Sequence, residues 1–204
     1  EELGFSTDAV ISVRVPQFNK LNEFKNILLQ NKDVNKVSFG SGPPMAVNGF
    51  ALGTLFRLTN QPGEEGLEAE MKIGDLNYLD FYDLKLISGK NFSETKFEFD
   101  EFIVNERLLK SLGWTAEEAI GKRLTINEGE ATIVGVVRDF HNTSLQNEIT
   151  PCVLLNWNHY QNLAFVHLSN VKPEVLQSIE QMWKQTFTTS IFQYEFVDEA
   201  IAKE

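Results

Sequence analysis

The stretch VISVRVPQFNKLNEFKNILLQNKDVNKVSFG, residues 10–40, has the pattern of a strand, a helix and a second strand. Apolar and polar residues alternate in VISVRV, and several are β-branched, which favours a strand over 10–15 that Pro16 ends. Apolar residues then recur at helical spacing, namely Phe18, Leu21, Phe24 and Leu28. The stretch therefore predicts a helix over 17–30 and a second strand over 34–40.

The end of the chain repeats this pattern. LAFVHLS, residues 163–169, alternates as a strand does, and Lys172-Pro173 is typical of a helix start. The apolar residues of the helix predicted over 174–187 share one face: Val175, Ile179, Met182, Trp183 and Phe187. FQYEFV, residues 192–197, is a further strand. Neither unit can cover its own strands, so we expect the two units to share one sheet with both helices on one side.

The two terminal units make the residues between them an insertion. We predict one subdomain from residues 1–45 and 151–204, and an inserted subdomain over 46–150. Helix signals in the insertion are Asp75 as a cap, Gly113 as a helix end, and Thr115 with Glu118 as a capping box. Short strands and short helices alternate there, so the predicted fold class is α+β.

Charge and composition exclude several kinds of protein. The 204 residues are 42% apolar and include 16 phenylalanines, as in a packed globular chain. With 29 acidic and 18 basic residues the net charge is −11, so we expect no nucleic-acid partner. No run approaches the ~20 apolar residues that a membrane span needs. The first residues of the sequence do not have the pattern of a signal peptide. The sequence starts abruptly at Glu1 without an initiating Met, so we expect a piece of a longer protein.

The sequence predicts no catalytic, metal-binding or cofactor-binding residue. Arg123 follows Gly121-Lys122 where a nucleotide-binding P-loop needs Ser or Thr. The single cysteine, Cys152, excludes a disulfide and a cysteine-based zinc site, and its apolar surroundings indicate a buried small side chain. The histidines lack the spacing of metal ligands: His141, His159 and His167.

The stretch GVVRDFHNTSLQNEITP, residues 135–151, could carry either chemistry or structure. Asp139 and His141 stand two residues apart, so on a strand both would point to one face and could form an acid–base dyad. Such a dyad needs a nucleophile or a metal, and nothing nearby presents one. We therefore interpret the pair as a polar turn that returns the chain toward the terminal sheet, with Phe140 as its apolar anchor.

Several motifs in a fixed order resemble the extracytoplasmic domain of MacB/FtsX-type ABC transporter permeases. These are IGDLNYLDFYDLKLISGKNFSE (73–94), VNERLLKSLGW (104–114), IGKRL (120–124) and ATIVGVVRDFHNTSLQNEITPCVLL (131–155). The opening VISVRVP and the closing YEFVDEAIAKE also fit that family, so the resemblance covers essentially the whole chain.

The resemblance implies a specific architecture and role. Such permeases carry this domain between their first and second transmembrane helices, as a porter-like subdomain interrupted by a smaller sabre-like one. It implies a non-catalytic periplasmic domain of an inner-membrane protein, without a cofactor, that transmits ATP-driven motion to substrate export or extraction. The implied partners are a second permease copy, a cytoplasmic ABC ATPase, and a periplasmic adaptor or substrate.

Two positions depart from the family pattern, and one alternative function stays open. Asn142 stands where relatives often have Phe or Tyr, and Asn147 stands where a second histidine is common. The missing histidine favours a structural role for the motif. The alternative is a PAS-like extracytoplasmic ligand-sensing domain of a signalling receptor. A pocket with convergent polar groups in one compact domain would favour that alternative, and a two-lobed shape with no closed pocket would favour the permease.

Overall fold

The computed structural model describes residues 3–47, 51–59, 66–94, 98–126 and 129–204. The strands are β1 Val10–Arg14, β2 Val34–Gly40, β3 Gly53–Leu58, β4 Leu67–Ile73, β5 Leu86–Gly89, β6 Glu101–Asn105, β7 Arg123–Ile126, β8 Gly129–Val137, β9 Cys152–Leu155, β10 Leu163–Leu168 and β11 Tyr194–Phe196. The helices are α1 Leu21–Leu28, α2 Tyr78–Phe81, α3 Glu106–Leu112, α4 Ala116–Ala119, α5 Pro173–Thr186 and α6 Val197–Ile201, with 3-10 turns at Phe18–Lys20 and Asn158–Tyr160.

The terminal units form one sheet, which confirms the prediction. Its strand order is β11-β1-β10-β2, and each neighbouring pair is antiparallel. Ile11 of β1 lies opposite Phe196 of β11, so the first strand begins beside the point where the last strand ends. The chain therefore enters and leaves this sheet at the same end of two adjacent strands.

Helices α1 and α5 cover one face of this four-stranded sheet. The apolar positions that the sequence placed on helical faces are buried, as with Phe24 and Ile179, which are both fully buried. Ring contacts join the two helices: the Phe24 centroid lies 5.4 Å from those of Trp183 and Phe187. This helix-side core gathers side chains from both ends of the chain, so neither unit could form it alone.

The insertion, expected to be the smaller part, holds the larger sheet. Its strand order is β5-β8-β6-β9-β4-β3-β7, and β7 pairs with β8 as well as with β3. That last pairing closes β8, β6, β9, β4, β3 and β7 into a ring, and β5 adds to β8 beside β7. Closure leaves the ring strands without free edges, which suits a small barrel with a core of its own.

Strand β9 does not lie where the predicted boundary at residue 151 places it. Its four residues, Cys152–Leu155, pair with β4 on one side and β6 on the other, within the larger sheet. All four side chains are buried, because both faces of this strand are covered. The chain returns to the four-stranded sheet only after Leu155, through residues 156–162.

The helix signals of the insertion act largely as predicted. Asn105 caps α3, its side chain accepting the Leu108 amide hydrogen over 3.1 Å, and Gly113 ends the helix at a φ of 70°. Thr115 and Glu118 form the expected capping box at α4. No helix in the described part of the chain combines the length and the apolar character needed to cross a membrane.

Candidate functional site

The two sheets meet at a junction formed first by the backbone. Gly40, at the end of β2, bridges to Gly74, just after β4, and the Asp75 amide donates to the Phe39 carbonyl over 2.8 Å. A Cβ on Gly40 would lie 2.5 Å from the Ile73 carbonyl oxygen, so this close approach requires glycine. The backbone of β2 is therefore tied directly to the end of β4.

An apolar core shared by both sheets fills the junction. Phe165 of β10 faces the insertion, and its ring centroid lies 6.3, 6.3 and 5.4 Å from those of Tyr78, Phe81 and Tyr82. All four side chains are buried. Other members of the same core are Val10, Met45, Leu79, Leu84, Phe92, Ile103, Val137, Phe140, Cys152, Leu154, Val197 and Ile201. The two sheets therefore bury a common core and do not pack as independent lobes.

Polar contacts at the side of the junction join α1 to the turn before α2. The Lys25 ammonium donates to Asn77 Oδ1 over 2.8 Å and lies 3.7 Å from Asp75 Oδ2. Asp75 Oδ1 accepts the Ser38 hydroxyl over 2.6 Å and the Asn77 amide over 3.1 Å. Burial raises the pKa of Asp75, although Ser38 and Lys25 oppose that shift. The contacts of Lys25 with Asn77 and of Ser38 with Asp75 connect residues 52 and 37 positions apart, which no local pattern reveals.

Asp75 was predicted as the cap of the short helix, and the structure assigns that position to Asn77. The carboxylate instead holds the Asn77 amide and the Ser38 hydroxyl, so it links β2 to the turn before α2. The prediction was wrong because a capping pattern reports only local partners, whereas Ser38 comes from another sheet.

Asp139 and His141 bond to different partners. Asp139 Oδ1 accepts the Arg107 amide over 2.8 Å, and the Asp139 amide donates to Glu106 Oε2 over 2.9 Å. His141 Nδ1 donates to the Ser144 carbonyl over 3.2 Å. Burial raises the pKa of Asp139. Each side chain thus ties the segment after β8 to a different neighbour, and the pair is structural in its contacts.

Phe140 anchors the segment after β8 as predicted, but the chain does not continue from this segment into the four-stranded sheet. Its side chain is buried in the junction core and meets the Phe5 ring edge-on at 6.3 Å. The prediction that the motif returns the chain toward the terminal sheet was wrong, because the strand that follows is β9 of the larger sheet. Sequence alone could not distinguish these destinations, since a short buried strand fits either sheet.

The remaining titratable candidates from the sequence are Cys152, His159 and His167. Cys152 is fully buried and burial raises its pKa to about 12, so the thiol is a core side chain as expected. His159 contacts the Phe18 ring at 5.9 Å, and burial lowers the pKa of His167 on β10. Within the described ranges, no three His, Cys, Asp or Glu side chains gather as metal ligands would.

Sequence reasoning missed a buried lysine at the junction. Lys72 of β4 is 5% exposed, and its ammonium donates to the Asn142 carbonyl over 2.9 Å. Its nearest carboxylate oxygen, on Glu70, lies 3.8 Å away. Burial lowers the pKa of Lys72. Asn142 is itself buried and bonded to Thr150 through its amide, which gives a structural role to one departure from the family pattern.

Solved structures share this fold at low sequence identity. The periplasmic region of MacB from Actinobacillus actinomycetemcomitans is 14% identical, with a TM-score of 0.63 over 96% of this chain and 92% of that one. A permease domain from Porphyromonas gingivalis is 19% identical, with a TM-score of 0.58 over 93% and 90%. The extracellular domain of the noncanonic ABC-type transporter YknZ from Gram-positive bacteria is 13% identical, with a TM-score of 0.59 over 91% and 99%.

The family assignment rests on the sequence itself. No curated protein sequence matches this chain. The sequence profile of the MacB-like periplasmic core domain matches residues 8–182, which is most of the chain. The chain therefore belongs to the MacB-like periplasmic core domain family, and it is an extracytoplasmic domain of a MacB/FtsX-like ABC transporter permease.

Proposed function

We propose that this domain is a non-catalytic mechanical element that carries motion from the membrane helices of its permease to an extracytoplasmic substrate or partner. ATP hydrolysis in a cytoplasmic ABC ATPase would drive the motion, and the domain would face a second copy in a permease dimer. Export of a substrate, or its extraction from the membrane, is the outcome in this proposal. The observation that carries it is the apolar core shared by the two sheets.

A shared core supports rigid transmission for a physical reason. Two lobes joined only by a flexible strand can tilt at little energetic cost, whereas separating two faces that share buried aromatic rings exposes apolar surface. Exposure costs roughly 25 cal/mol per Å² of apolar surface. Phe165, Tyr78, Phe81 and Tyr82 lie on that shared surface. A displacement applied to the four-stranded sheet is thus expected to move the closed ring of strands in the insertion with it.

The strand order supports attachment at two adjacent points. Because β1 begins where β11 ends, two membrane helices joined to these strands would emerge side by side. A relative movement of those helices would then act on the neighbouring strands of one sheet. This arrangement suits a domain placed between the first and second transmembrane helices of an inner-membrane permease.

The PAS-like sensor is less well supported than the permease domain. The shared fold of solved permease domains and the family match both favour the permease. A cavity near the junction lies between the two sheets, whereas a sensor of that class would hold its ligand inside one compact domain.

Flexible insertions test mechanical transmission in the whole permease. A short Gly-Ser segment placed after Lys203 should leave ATP hydrolysis intact and reduce transport, because a flexible connection absorbs motion. The matched control places the same segment after Asn170, in the exposed turn between β10 and α5. The proposal fails if the insertion after Lys203 transports as well as the control does.

A further inference from the structure

The segment ahead of β1, residues 3–8, is bonded to the insertion and is called the strap below. The Leu3 carbonyl accepts the His141 amide hydrogen over 3.0 Å, and the Ser6 amide donates to the Tyr82 carbonyl over 2.8 Å. Tyr82 lies directly after α2 and His141 lies in the segment after β8, so both partners belong to the insertion. The strap is therefore attached to the insertion before the chain enters the four-stranded sheet.

A ring and a close backbone approach also hold the strap. The Phe5 ring meets the Tyr82 and Phe140 rings edge-on, at centroid distances of 6.1 and 6.3 Å. A Cβ on Gly4, where φ is 80°, would lie 3.0 Å from the Phe140 Cα, so the strap passes this close only with glycine. Leu3 and Phe5 are partly buried against the core that the two sheets share. Apolar packing thus adds to the two backbone hydrogen bonds.

The chain changes partners between Asp8 and Ala9. The Ala9 carbonyl accepts the Leu168 amide hydrogen over 2.9 Å, and Val10 pairs with His167 of β10. From Ala9 onward the chain is therefore bonded to the four-stranded sheet, whereas the strap is bonded to the insertion. A pull on the chain ahead of the strap has two routes into the domain, and the contacts with the insertion come first along the chain.

We propose that the strap passes the movement of the preceding membrane helix directly to the insertion, at Tyr82 and Phe140. This inference rests on the proposed mechanical function, in which a membrane helix precedes the domain, and it adds a route that bypasses the four-stranded sheet. Tension in a chain is carried by the first attachment that holds, so the strap contacts bear the load before β1 does. The insertion then follows the membrane helix through the strap and the four-stranded sheet through the shared core.

Hydrogen exchange of the chain tests how the strap is attached. The amide of His141 is protected by the Leu3 carbonyl, and Phe5→Ala, which loses two ring contacts, should speed its exchange at least about fivefold. The amide of Leu168 bonds to Ala9 beyond the strap and should exchange at the parent rate. An unchanged rate at His141, or an equal acceleration at Leu168, would overturn the attachment through Phe5.

Ser6→Ala is the matched control within the strap. The Ser6 side chain is exposed, and the bond to Tyr82 uses the backbone amide, which alanine keeps. The variant should therefore leave the exchange of the His141 amide at the parent rate. Faster exchange in this control would show that any change in the strap releases it, and the assignment to Phe5 would be wrong.

Two flexible insertions in the whole permease separate the two routes. A Gly-Ser segment placed ahead of Leu3 should reduce transport per folded molecule, because it absorbs motion before the strap. The same segment placed between Asp8 and Ala9 leaves the strap attached to the insertion, and transport should stay near the parent level. A loss from the second insertion equal to or greater than the loss from the first would overturn the strap route. The insertion after Lys203 tests the proposed function separately, since it lies at the other end of the chain.

Discussion

Replacing Phe165 with alanine should disconnect the two sheets more than it unfolds either one. Phe165 is fully buried, and it is the β10 side chain whose ring meets Tyr78, Phe81 and Tyr82 across the junction. Truncating a buried phenylalanine costs about 3–5 kcal/mol through lost burial and the cavity left behind. Three ring contacts are lost as well, each worth roughly 0.5–1.5 kcal/mol beyond area, so the upper part of that range is expected.

Phe24→Ala is the matched control for this effect. Phe24 is also fully buried and also loses ring contacts, to Trp183 and Phe187, but it lies on the helix side of the same sheet and away from the junction. The same atoms are removed, so urea unfolding should report similar losses of stability for both variants. Phe165→Leu provides a milder change at the junction if either alanine variant is too unstable.

The assay compares transport with the amount of folded permease. Transport in cells, divided by the folded protein measured in the same membranes, should fall for Phe165→Ala and stay near the parent value for Phe24→Ala. ATP hydrolysis in purified permease should persist in both. If transport per folded molecule is equal in the two variants, the junction does not transmit motion and the reasoning is wrong.

Three further outcomes follow from the same contacts. Phe140→Ala should cost about 3–5 kcal/mol of stability, whereas His141→Ala, which loses one weak contact to Ser144, should cost at most about 1 kcal/mol, as thermal melting would show. Burial raises the pKa of Asp75 above its usual 3.8, so the folded state binds that proton more tightly and this carboxyl contributes less stability as pH rises through its folded pKa. Asp75→Asn keeps an acceptor for Ser38 but does not titrate. The melting temperature of this variant minus that of the parent should therefore increase as pH rises through the folded pKa of Asp75, and a decrease would contradict the raised pKa. Calorimetric titration with Zn²⁺, Ca²⁺ or ATP should show no specific binding, and a stoichiometric micromolar site for any of them would contradict the non-catalytic proposal.

The four-stranded sheet could be predicted because each terminal unit carries a local pattern that only one arrangement satisfies. Alternating strands and helices with a single apolar face cannot be buried separately, so the two units had to share a sheet. The same logic predicted the burial of Phe140, which stands between two polar residues after an apolar strand. Because the two units lie at the two ends of the chain, the residues between them had to form an insertion, and the family resemblance implies the same order.

The junction and its cavity could not be predicted, because their contacts join residues remote in sequence. Asp75 resembled a helix cap, and its partners Ser38 and Lys25 come from elements more than thirty residues earlier. Lysine usually faces solvent, but Lys72 of β4 is buried, and its ammonium bonds to the carbonyl of Asn142, which lies 70 positions later. The closure of the ring through β7 and β8 likewise depends on pairing over distance.

A distance measurement inside the working permease tests the central claim most directly. Spin labels at Val171→Cys, on the four-stranded side, and Ile120→Cys, on the insertion, would sit on exposed positions, while the native Cys152 is fully buried and should not react. Doubly labelled copies diluted with unlabelled ones report the distance within one domain, and singly labelled copies report the distance between two. A rigid mechanical element predicts that ATP changes the distance between copies and leaves the distance within a domain unchanged. A change within the domain, with the distance between copies constant, would contradict it.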